Sequence, residues 1–169
     1  DHKIPIINID VIQTLSHKEW IYQANDFHCN RFILKQVSKK YPKLALSADH
    51  LGRTPLHLAC DQGKVGSAKI LIMNVPDSII EVDDEKRTPL HLACLKGNTE
   101  IVSTLLASFS SQGEKHSFMN KKDFMGSTAC ILAASSGNMD TVNVLSDSKA
   151  DFDVVNREGE NILHKAVRS

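Results

Sequence analysis

A chain of 169 residues, 24% charged and 41% hydrophobic, has the make-up of a soluble globular domain with a substantial core. Its formal net charge of zero offers no general attraction to nucleic acid or to an anionic membrane. No run of about 18 apolar residues occurs, so no segment is predicted to insert into a bilayer, and 5% aromatic residues count against an aromatic-lined pocket or a base-stacking surface.

The opening "DHKIPIINID" lacks the basic flank and long apolar stretch of a signal peptide. Residues 1–16 read as an N-terminal extension, with "IPIINIDVI" as extended chain. Residues 17–48 form a degenerate first unit. Its "EWIYQANDFHCNRFILKQV" aligns without a gap with the later "TPLHLACDQGKVGSAKILI". Ala24 falls where Ala59 sits, and Phe32, Ile33 and Val37 take the apolar positions of a second helix. Trp20 replaces a proline and His28 a glycine, as expected of an atypical terminal unit.

The octapeptide "RTPLHLAC" then occurs twice, at 53–60 and 87–94. Anchored on its threonine, the pattern advances 34 residues from Thr54 to Thr88, 40 to Thr128 and 33 to Asn161. Gly63, Gly97 and Gly137 each follow their threonine by nine residues. Apolar residues at helical spacing come next, as in Ile101, Val102, Leu105 and Leu106, or Val142, Val144 and Leu145. A turn signal precedes each anchor: "DHLGR", "DDEKR", "DFMGS" and "NREGE". Thr54 and Thr88 suit a helix N-cap, with Pro55 and Pro89 at the first helical position. Leu56, Leu58 and Ala59 are placed for packing. Gly63, Gly97 and Gly137 suit a left-handed helix end, and Gly52, Gly126 and Gly159 suit hairpin tips. Lys86 stands where those tips have glycine, which predicts a strained or differently shaped turn.

A period near 33, a turn followed by two helices and a T-P-L-H-x-A signature resemble the ankyrin repeat. The resemblance covers about residues 17–169. It implies an all-α solenoid of helix–turn–helix units joined by β-hairpin loops. The units are 17–48 (degenerate), 49–82, 83–122, 123–155 and a partial 156–169. The long third unit carries about seven extra residues in "SFSSQGEKHSF", an insert near 108–118 that reads as a polar loop. Such inserts are also common functional positions. The final half-unit predicts a longer protein with further repeats C-terminal to it.

Two histidine–cysteine pairs, His57 with Cys60 and His91 with Cys94, could suggest a zinc site or a doubled nucleophile. Stacked units repeat at about 8–10 Å, whereas zinc needs four ligands converging at about 2.0–2.3 Å. The related units put Ile131 and Ala134, then His164 and Val167, at these positions, so the pattern points to packing. The family resemblance implies that the histidines tie neighbouring hairpins and helices together. The cysteines act as small buried hydrophobes, and Cys130 falls at a leucine position. The four cysteines show no C-x-x-C and read as free thiols of a reducing compartment. Only Cys29 reads as exposed enough to test for reactivity. Asp77, Glu81, Asp83, Asp84 and Glu85 lack EF-hand spacing and read as a solvated acidic hairpin. Arg31, Lys35, Lys39, Lys40 and Lys43 read as a solvated basic face, with a phosphate- or lipid-binding patch as the alternative.

No catalytic motif, metal site or cofactor site is predicted. The expected function is a non-catalytic protein–protein interaction scaffold for another protein or peptide, cytoplasmic or nuclear. The alternatives are the cytoplasmic ankyrin segment of a membrane channel, loosely similar to the arrays of transient-receptor-potential channels of the ankyrin subfamily, or an ankyrin-type inhibitor of a transcription factor. Partner-facing positions implied by the resemblance are His50, Leu51, Arg53, Asp61 and Gln62, then Asp84, Glu85, Arg87, Leu95 and Lys96. The later units add Phe124, Met125, Ser127, Ser135 and Ser136, and Arg157, Glu158 and Glu160. Phe124 and Met125 stand out as large apolar residues at a hairpin tip, either binding anchors or folded back under the insert.

Overall fold

A computed structural model describes residues 30–168. The 1–16 extension and Trp20, Ala24, His28 and Cys29 lie outside the described residues. Ten α-helices and no strands occur among the described residues. In chain order they are α1 (Asn30–Lys40), α2 (Pro42–Ala45), α3 (Pro55–Asp61), α4 (Val65–Asn74), α5 (Pro89–Leu95), α6 (Thr99–Ala107), α7 (Gln112–Met119), α8 (Ala129–Ser135), α9 (Met139–Asp147) and α10 (Ile162–Arg168). A 3-10 turn at Pro76–Ile79 follows α4.

The helices stack in two rows. First helices α3, α5, α8 and α10 pack in succession, and second helices α1, α4, α6 and α9 do the same behind them. Each first helix also packs on the second helix of its own unit where both are present. This is the all-helical solenoid expected from the repeats. Thr54 and Thr88 hold extended backbone at the N-caps, with Pro55 and Pro89 inside the first turn. Behind the caps, Leu56 and Leu90 are fully buried, as are Cys60 and Cys94. A leucine so buried contributes about 2 kcal/mol through lost water contact. The small alanines and cysteines beside them let successive first helices approach closely. Ile101, Val102, Leu105, Leu106 and Leu145 fill the layer between the rows, with Val142 and Val144 half-buried at its edge.

The extra residues of the long unit form a helix where the sequence suggested a polar loop. Ser111 caps α7 by accepting the Glu114 N–H at 3.5 Å. Phe118 and Met119 are buried at the far end, and the Phe118 ring lies 4.8 Å from that of Phe109. Apolar residues at both edges of "SFSSQGEKHSF" thus anchor the insert to the core.

Among the described residues, four fingers project from the stack. In each, the N–H of the first residue donates to the carbonyl of the fifth, and the fourth N–H donates back to the carbonyl of the first. The fourth residue takes the left-handed conformation that this turn demands, with Gly52 at φ +72° and Lys86 at φ +59°. Lys86 therefore keeps the same turn as its relatives and bears the strain instead. A side chain in that region costs about 1–2 kcal/mol. Lys86→Gly is expected to raise stability by about 1 kcal/mol, read from the urea midpoint of unfolding.

Candidate partner-binding surface

The fingers are built from an aspartate or asparagine at the first position: Asp49, Asp83, Asp123 and Asn156. The side-chain oxygen of each accepts the N–H of the fifth residue at 2.8–2.9 Å. In three of them it also accepts the N–H of the third residue. In the first two fingers the other carboxylate oxygen holds an arginine from the fifth position, Arg53 on Asp49 and Arg87 on Asp83, both at 2.8 Å. Burial of Asp49 works against its charged form. The Arg53 side chain and the Arg53 and Leu51 N–H groups outweigh that and hold its carboxyl below the usual range.

Adjacent fingers are joined by one backbone hydrogen bond each. The second residue donates to the third residue of the preceding finger: Asp84 to Leu51 at 3.1 Å, Phe124 to Glu85 at 2.8 Å and Arg157 to Met125 at 2.9 Å. Gly52 is needed at this approach, because a Cβ there would come within 2.8 Å of the Asp84 backbone nitrogen.

Histidine rings connect the fingers to the helices. His57 Nδ1 accepts the Thr54 N–H at 3.2 Å, completing a capping box in which the imidazole stands where glutamate is usual. Its Nε2–H therefore donates to the Arg87 carbonyl of the next finger at 3.0 Å. His91 repeats the arrangement with Thr88 at 3.1 Å and the Lys121 carbonyl at 3.1 Å. Burial lowers the pKa of both histidines and keeps the rings neutral. With both nitrogens engaged, neither ring has a lone pair left for a metal. Burial likewise raises the Cys60 and Cys94 thiols far above the range of a nucleophile, and pushes Cys130 up to about 12. Among the described residues, no three metal-ligating side chains come together.

The fourth unit has Ile131 in place of the histidine. Thr128 Oγ1 is accordingly buried with no hydrogen-bond partner. In the fifth unit His164 Nδ1 again meets the Asn161 backbone N–H, at 3.3 Å.

A second set of ties links the start of a second helix to the end of the preceding unit's first helix. Asn98 Nδ2 donates to the Cys60 carbonyl at 2.5 Å and Asn138 Nδ2 to the Cys94 carbonyl at 3.2 Å. Both asparagines lie against the left-handed glycine of the preceding unit, Gly63 or Gly97. These asparagines, with Asp49, Asp123 and Asn156, have roles that the motif alone does not assign, and Asp83, expected on a solvated acidic hairpin, is instead 4% exposed and held by Arg87 because its carboxylate closes the turn. The signal was present: Asp or Asn begins all four turn segments, and "GN" recurs at 97–98 and 137–138.

The positions expected to face a partner divide by depth. His50, Leu51, Asp84, Glu85, Phe124, Met125, Arg157 and Glu158 are exposed along the finger row. Arg53 and Arg87 are half-buried in their aspartate pairs. Ser127 and Glu160 are only 4% and 6% exposed, Glu160 being held by Lys165 and Arg168. At the ends of the first helices, Gln62, Lys96 and Ser136 are exposed, while Asp61, Leu95 and Ser135 are half-buried. Lys96 reaches Asp61 at 3.5 Å across one unit boundary. The basic residues Arg31, Lys35, Lys39, Lys40 and Lys43 are all exposed on and after α1.

The family description "Ankyrin repeats (3 copies)" matches residues 20–116, and "Ankyrin repeats (many copies)" matches residues 130–169. The chain belongs to the ankyrin-repeat family. No curated protein matches it.

Two outcomes are expected from the histidine bridges. Thr88→Val should cost about 1–2 kcal/mol by removing the hydroxyl that forms the side-chain half of the capping box, 2.9 Å from His91 Nδ1, while the same change at Thr128 should be neutral or stabilising, both read by denaturant unfolding. Acidification should also destabilise the fold. The unfolded chain takes up protons near the ordinary histidine value of 6.5, and the folded chain only at lower pH. Stability is therefore full above that value and declines as pH falls below it, so the Tm should drop between about pH 7.5 and about pH 5.5.

Proposed function

We propose that this chain is a non-catalytic scaffold that holds a partner protein or peptide through its finger tips and the adjoining ends of the first helices. Ankyrin repeats are generally protein–protein interaction modules, and no helix among the described residues is long and apolar enough to cross a membrane. The observation that carries the reading is the tip of the third finger. Phe124 is 52% exposed and Met125 45% exposed, so neither folds under the insert. The Arg157 guanidinium lies 4.8 Å from the centre of the Phe124 ring. The finger beneath is fixed on both sides by backbone hydrogen bonds to its neighbours. A preordered apolar tip loses little freedom on binding, which favours affinity. The buried, unpaired thiols Cys60, Cys94 and Cys130 fit a reducing compartment, and we place the protein in the cytoplasm or nucleus on that ground.

Phe124→Ala is expected to weaken partner binding by more than about 1 kcal/mol, with the helical circular-dichroism signal unchanged. Unchanged affinity for a partner captured from cells and mapped by crosslinking would remove the tip from the binding surface.

A further inference from the structure

We propose that the cleft beside the third finger receives an acidic, extended segment of a partner protein, seated next to the apolar tip of Phe124 and Met125. The cleft has a volume of about 420 Å³ and is lined by Lys86, Lys122, Asp123, Gly126, Val155, Asn156 and Arg157. Three cations face it against one carboxylate. The Asp123 oxygen Oδ1 already accepts the Ser127 N–H at 2.8 Å. Among the described residues, neither Lys86 nor Lys122 has a carboxylate within ion-pair distance. Most acids on the adjoining fingers are taken up elsewhere: Glu85 by Arg87 at 3.1 Å, Glu158 by Lys165 at 3.6 Å and Glu160 by Lys165 at 2.5 Å, with Asp84 exposed and in none of the ion pairs among the described residues. A chain of zero net charge thus concentrates unpaired positive charge at one place on its finger row.

The backbone adds a second, independent observation. Lys86 holds a left-handed conformation that glycine holds in the other three fingers, and the strain is borne where the side chain lines this cleft. Strain kept at one member of a repeated turn points to a use for the side chain that strain delivers. The cleft rim is apolar as well as basic, with Val155 49% exposed and Met125 45% exposed nearby. Carboxylates spaced around a large apolar side chain match that combination.

A random dodecapeptide library displayed on phage, selected against the full chain, tests this. Enriched peptides are expected to carry at least two Asp or Glu residues beside a large apolar one. Fluorescently labelled copies should bind about tenfold more weakly to Lys122→Glu, and several-fold more weakly to Lys86→Gly although that variant is better folded. Their affinity should also fall as salt rises. A selection without enrichment, enriched peptides with no acidic excess, or affinities equal in wild type and both lysine variants would overturn the proposal. The cleft rests on the finger-tip reading, and Phe124→Ala separates the two. Peptides lost on Phe124→Ala yet retained by Lys122→Glu leave the tips as the site and remove the cleft. Peptides indifferent to both changes remove both.

Discussion

A neutral imidazole that accepts a hydrogen bond at one nitrogen and donates one at the other is the coupling on which this stack depends. Nδ1 of His57 or His91 closes the capping box of its own helix, and Nε2 reaches a carbonyl of the chain leading through the next finger. The two roles reinforce each other. The cap fixes the ring's tautomer, and the tautomer makes the other nitrogen a donor. Because the ring is buried, both bonds form where water cannot compete, and a charged ring would have to be desolvated without a carboxylate in contact. Local helix initiation and long-range stacking are in this way carried by one side chain.

The fingers build on that frame with a different economy of charge. Where arginine occupies the fifth position, the opening aspartate is neutralised within its own turn, as in Asp49–Arg53 and Asp83–Arg87. Ser127 in the third finger cannot do this. The fourth finger substitutes an Asn156–Glu160 pair, with Lys165 and Arg168 on the glutamate. Backbone geometry is the same throughout, so variation in these pairs alters surface chemistry without altering the ladder of finger-to-finger hydrogen bonds. That separation lets one architecture present His50 and Leu51 at one point and Phe124 and Met125 at another.

Much of the fold was legible from residues alone because the repeat supplies its own internal controls. Threonine, proline and glycine recur at fixed offsets for backbone reasons, and Ile131 in a histidine's place argues against metal chemistry. Lys86 is strained, as glycine's absence there implies, but its turn keeps the common shape, since two hydrogen bonds and the Asp83 side chain outweigh the side chain's preference. The insert misled because its polar residues dominate its composition, whereas its conformation is decided by two buried residues, Phe118 and Met119. The candidate surface was only partly legible. Sequence offsets place a residue on a finger, but the depth of Ser127 and Glu160 depends on what lies across the turn. The cleft joining Lys86, Lys122 and Arg157 draws on three separate segments and has no linear signature.

The orphaned hydroxyl of Thr128 bears on the mechanics of the array. Total stability in a stacked chain is close to a sum of nearest-neighbour terms, so any joint that lacks a term becomes the place where the stack parts first. The second and third units are joined by a histidine bridge, an asparagine tie and a finger-to-finger bond. Between the fourth and fifth, Ile131 contributes packing alone, leaving the Arg157–Met125 bond and the contact of α8 with α10. The joint beyond Thr128 is therefore held by fewer hydrogen-bond ties than the joint between the second and third units. Force or heat would open the joint beyond Thr128 before the one that His57 spans.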